Sequence, residues 1–104
     1  MEDFVKQALL YDFYGDLLTE HQRSVYSAYV LENLSISEIA REAGISRQGV
    51  HDMLKRCNGI LEEYERKLQL VERFIKIKDR VRLIADAKDL EEARNISNGI
   101  MELL

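Results

Sequence analysis

Proline and tryptophan are absent from the 104 residues, cysteine occurs once and glycine five times. A single cysteine excludes a disulfide framework. No apolar run reaches the ~18 residues that a membrane span requires. No stretch alternates apolar and polar residues as a half-buried strand does. A basic excess is also missing: 15 Lys and Arg stand against 19 Asp and Glu, a formal net charge of −4. Binding to nucleic acid by overall charge is thereby excluded, and any such binding needs a local patch. The opening Met-Glu-Asp has no basic segment ahead of an apolar one, so no export signal is read there. With one cysteine, a reducing cytoplasm is the expected compartment. What is present is 46% hydrophobic and 33% charged residues, enough for one all-α domain with a modest core and long solvated helix faces.

The densest local signals lie in Ile36 to Lys55, ISEIAREAGISRQGVHDMLK, which reads as a helix-turn-helix. Ser35 and Glu38 have capping-box spacing, and Leu34 and Ile39 stand as a hydrophobic staple across it. Gly44 suits the positive φ that closes the first helix. Ser46 then caps the second helix, with Ile45 and Val50 at its staple positions. Ile39, Ala43, Ile45, Val50 and Met53 are the expected contacts between the two helices, and the small Ala40 allows their close approach.

Ahead of this unit, residues 2–15 predict a short helix with Phe4, Val5, Ala8 and Leu9 on one face, flanked by Tyr11 and Tyr14 and stopped by Gly15. A second helix, capped by Thr19 with Gln22 as box partner, runs to about Asn33 and turns Val25, Tyr26, Tyr29 and Val30 inward. Core packing explains these aromatics better than base stacking does, because helical spacing accounts for them. Residues 1–34 carry six acids against two bases, so phosphate is repelled there.

Beyond the unit, Leu54, Cys57, Leu61, Tyr64, Leu68, Val71 and Ile75 follow 3-4 spacing, a heptad seam. Either the second helix continues into a long C-terminal helix or it breaks near Asn58-Gly59 and resumes. Ile77, Val81 and Ile84 extend the stripe with a change of phase. A fresh cap at Asp86 or Asp89 opens a last helix with Leu90, Ala93, Ile96, Ile100, Leu103 and Leu104 on its apolar side. The chain is thus read as residues 1–57, the N-terminal helices and helix-turn-helix, and residues 58–104, a C-terminal helical segment, within a single domain. A seam of this length needs a cover. A second copy in a homodimer is expected to supply it, against the plainer monomeric bundle.

Two basic sets are candidates for function. In the second helix of the unit, Arg47, Gln48, His51, Asp52, Lys55 and Arg56 fall on the side away from Val50, Met53 and Leu54. Arg suits guanine and Gln suits adenine by paired hydrogen bonds, and Lys55 and Arg56 suit phosphates. Between residues 35 and 58 four bases face three acids, a thin excess, and a merely solvated face is the alternative. The second set, Arg73, Lys76, Lys78, Arg80 and Arg82, is opposed within its span by Asp79 alone. It is either a second phosphate surface, for DNA or RNA, or a snorkelling cover for Phe74, Ile75, Ile77 and Val81. Cys57 sits on the seam as a small core residue. His21 and His51 have no metal-ligand neighbours, and no nucleophile–base set or phosphate loop is present, so neither an enzyme, a metal nor a cofactor is expected.

Three runs carry a resemblance: Leu17-Leu18-Thr19-Glu20-His21-Gln22-Arg23, Leu34 through Ala40, and Ile45 through Asp52. Together they resemble region 4 of bacterial sigma factors. With the Met-Glu start, the short leading helix and Arg56-Cys57-Asn58, the match narrows to the YlxM family of helix-turn-helix proteins over residues 1–90. That resemblance implies a small bacterial cytoplasmic regulator, associated with the signal recognition particle pathway, with base contacts at Arg47, Gln48 and His51. Two functions follow as expectations. One is a dimeric DNA-binding regulator. The other is an accessory that contacts the particle's protein or RNA.

Overall fold

The computed structural model describes residues 3–104, and every described element is helical. Helix α1 spans Asp3–Tyr14, a 3-10 turn follows at Gly15–Leu17, and α2 spans Glu20–Val30. Helices α3, Ile36–Ala43, and α4, Arg47–Leu68, form the helix-turn-helix. Helices α5, Leu70–Ala85, and α6, Leu90–Leu103, complete the chain. These make two compact units, one ending at Leu68 and the other running Gln69–Leu104. Helix α4 passes through Asn58 and Gly59 without a break. A Cβ on Gly59 would meet open space, so only the ~1 kcal/mol intrinsic penalty of glycine applies, and tertiary packing of α4 overrides it. The break comes instead at Gln69, whose φ of 56° is left-handed.

In the first unit α4 is the post on which α1, α2 and α3 pack. Its inward stripe of Val50, Leu54, Cys57 and Leu61 is buried. That part of the heptad seam is therefore covered within one chain. Around it stand Leu10, Tyr14, Leu18, Val25, Tyr26, Ile39 and Ala40, also buried. The expected face of α1 is corrected: Phe4 and Val5 are 47% and 51% exposed, whereas Leu10 and Tyr14 are each at 1%. The inward stripe is rotated because the Tyr rings have partners there. Tyr11 stacks near Tyr26, and Tyr14 near Tyr64, with centroids 5.9 and 6.0 Å apart. Gly15 allows this approach, since a Cβ there would lie 2.9 Å from the Tyr11 ring.

Polar tips of the core are tied as well. Tyr26 donates its hydroxyl to Asn58 Oδ1 at 2.5 Å, and Gln7 Nε2 donates to the same oxygen at 3.4 Å. Tyr14 donates to Glu65 Oε1 at 2.6 Å. Asn58, where a continuous helix and a break were both open, lies within α4 and joins it to α1 and α2. Burial pushes the Tyr26 hydroxyl well above its ordinary pKa, keeping it a neutral donor.

The second unit is a helical pair, α5 packed on α6 across a short turn that makes them antiparallel. Asp89 is the cap of α6, accepting from the Glu92 amide at 2.8 Å, which decides between the two expected caps. Among the described residues of this unit only Val71 is buried.

Candidate nucleic-acid interface

The helix-turn-helix is closed by the side chains its sequence supplies. Ser35 Oγ accepts from the Glu38 amide and Glu38 Oε1 accepts from the Ser35 amide, each at 3.1 Å. These bonds hold the Glu38 carboxyl below the usual carboxylate pKa. The Thr19–Gln22 box on α2 is likewise complete. Gly44 takes φ 69°, and its positive φ turns the chain out of α3. Ser46 Oγ then accepts from the Gly49 amide at 2.9 Å and opens α4. Val50 and Leu54 are buried and Met53 half-buried, so the register of α4 is the expected one.

Arg47, Gln48, His51, Asp52, Lys55 and Arg56 are all exposed. On the helix they form two rows at four-residue spacing, Arg47-His51-Lys55 and Gln48-Asp52-Arg56. Among the described residues no carboxylate lies at ion-pair distance from Arg47, Lys55 or Arg56. The second row is less open. Gln48 Nε2 donates to Asp52 Oδ1 at 2.9 Å, and Asp52 and Arg56 line a hollow of about 170 Å³ with Gln22 of α2. Sequence spacing already pairs Gln48 with Asp52 at i, i+4 on the exposed side of α4.

The other basic set does not converge. Arg73, Lys76 and Arg80 follow one side of α5, and Lys78 and Arg82 the other. Lys76 pairs with Glu72 at 3.2 Å, and the Lys78 ammonium lies 5.9 Å from the centre of the Phe74 ring. Arg80 rests against Gly99 of α6. Bases on both flanks of an apolar stripe are what a solubilising edge looks like.

Cys57 is fully buried and burial pushes its thiol pKa up, the reverse of an activated nucleophile. Among the described residues no group of His, Cys, Asp or Glu is placed to hold a metal, and no helix is long and apolar enough to cross a membrane.

Fold and caps together define a helix-turn-helix protein. Comparison with known families agrees: residues 1–100 match the model described as "Putative helix-turn-helix protein, YlxM / p13 like", and the chain belongs to that family, UPF0122. A UPF0122 protein of Bacillus cereus strain AH187 is 47% identical over 111 residues, covering 99% of this chain and 98% of the relative. One from Symbiobacterium thermophilum is 43% identical over 97 residues, covering 90% and 91%. Helix-turn-helix structure, not an enzymatic activity, is what the family description specifies.

Proposed function

We propose that this is a non-enzymatic regulatory protein of the cytoplasm that binds nucleic acid through the start of α4. Arg47, Gln48 and His51 face base edges in the major groove, and Lys55 and Arg56 hold phosphates. The supporting observation is the exposed, unpaired row Arg47-His51-Lys55 on a helix whose opposite side is locked into the core. The protein works as a homodimer, as many helix-turn-helix readers do. Its place is the signal recognition particle pathway, a reading supported only by the resemblance to the YlxM family.

The test is fluorescence anisotropy on duplexes selected from a random pool. Arg47→Ala is expected to weaken binding by roughly 1–3 kcal/mol and relax one base position. Lys55→Ala should weaken binding to all duplexes alike and lower the salt slope by about one. No binding at about 50 mM salt, or binding indifferent to salt, would overturn the reading. A second reading, an accessory that contacts the particle's RNA or protein through Arg73, Lys76, Lys78, Arg80 and Arg82, has the exposure of Arg73, Lys76, Lys78 and Arg82 behind it, Arg80 being half-buried. Purified particle components that fail to retain the protein would remove it.

A further inference from the structure

Two of the exposed polar residues on the outer side of α4 are tied to each other. Gln48 Nε2 donates to Asp52 Oδ1 at 2.9 Å, one helical turn on. Asp52 is the one acid between Arg47 and Arg56, and among the described residues no cation lies at ion-pair distance from its carboxylate. An acid on a side that meets a polyanion weakens binding, so its place there needs a cause. Helix stability does not supply one. Ser46 already caps α4, and Val50, Leu54, Cys57 and Leu61 already fix it in the core.

The chemistry of the pair does supply one. A carboxylate only accepts hydrogen bonds, so the end of the Gln48 amide that faces Asp52 has to be the NH2. The reverse orientation would set carbonyl oxygen against carboxylate, acceptor against acceptor. A free glutamine turns either way and meets donors and acceptors alike, whereas Gln48 is held to one orientation. One of its two N–H groups is engaged by Asp52. The other N–H and Oε1 remain as a donor beside an acceptor. Adenine presents the complement in the major groove, acceptor N7 beside a donor at N6. Guanine presents two acceptors, N7 and O6, and would leave Oε1 facing one of them unpaired.

We propose that Asp52 is a positioning residue: it holds the Gln48 amide in the orientation that reads adenine, and so sets the base preference at one position of a bound duplex. This role rests on the major-groove placement of α4 proposed above. Asp52 thereby lowers the affinity for every duplex while sharpening the choice among them.

The test is selection of duplexes from a random pool by the full chain, followed by anisotropy on the selected duplex and its single-base replacements. The position whose preference Gln48→Ala removes is the one Gln48 reads. Adenine is expected there, favoured over guanine by about 5- to 150-fold. Asp52→Asn keeps the shape but donates as well as accepts, so both amide orientations are allowed. It should bind every duplex more tightly, since a negative charge is gone, yet reduce the adenine preference at that position by at least about fivefold. The preference at the position read by Arg47 should stay as in the wild type. Asp52→Glu keeps a group that only accepts and should keep the adenine preference. A wild type that binds no duplex overturns the major-groove reading, and this role with it. Selected duplexes in which Gln48 reads another base, or none, overturn this role alone. So does an Asp52→Asn protein that binds all duplexes more tightly with its adenine preference intact, because Asp52 then acts through charge only. Loss of the preference in Asp52→Glu as complete as in Asp52→Asn overturns it too.

Discussion

The two units are built from the same residue types at the same helical spacings, yet they use them differently. Up to Leu68 the apolar stripes of three helices converge on α4, and Tyr14, Tyr26, Val50, Cys57 and Leu61 reach 2% exposure or less. From Gln69 on, two helices have one mutual contact face, so residues at equally regular spacing stay half open. Periodicity thus states that a face is apolar. How fully it is buried depends on how many elements share it.

The largest effect should come from the centre of the filled unit. Leu61→Ala removes a side chain with no exposure and is expected to cost about 2–5 kcal/mol, since α4 is held by three helices and cannot collapse into the space. Leu83→Ala in the second unit, at 55% exposure, should stay within about 0.5 kcal/mol. Urea unfolding of both variants measures the contrast. Equal losses would mean that the second unit has a core of its own.

The same contrast explains what the sequence disclosed. The helix-turn-helix was legible almost residue by residue, because capping boxes and a left-handed glycine act over three or four positions and depend on little else. The outward side of α4 followed from its register. The inward stripe of α1 was not legible. Phe4, Val5, Ala8 and Leu9 are as regular a set as Leu10, Tyr11 and Tyr14, and only ring contacts with Tyr26 and Tyr64, distant in sequence, decide between them. Asn58-Gly59 left two readings open for a related reason, and hydrogen bonds reaching Gln7 and Tyr26 favour the continuous helix. The seam from Leu54 to Ile75 likewise hid a joint, because a kink at Gln69 leaves the spacing of apolar residues untouched.

An intermediate effect belongs to the caps. Ser35→Ala should cost about 1 kcal/mol by freeing the Glu38 amide at the start of α3. Because the folded state lowers the Glu38 pKa, its ionised form contributes stability above the unfolded carboxylate pKa. That contribution fades as pH falls through the folded value. The stability difference between wild type and Ser35→Ala should therefore shrink on acidification across the carboxylate range. A difference that grows there would show that the box is not the source of the cap.

The smallest effect tests the joint between the units. Gln69 holds φ 56°, a conformation that costs a residue with a Cβ roughly 1–2 kcal/mol relative to the right-handed helix. Glycine removes that strain but gives back roughly 0.4–1 kcal/mol through the greater freedom of the unfolded chain. Gln69→Gly should therefore raise stability by about 0.5 kcal/mol, the opposite sign from glycine placed inside a straight helix. The sign is the informative part. Were α4 and α5 a single helix in solution, as the unbroken seam suggests, position 69 would be helix interior and the substitution would cost about 1 kcal/mol instead.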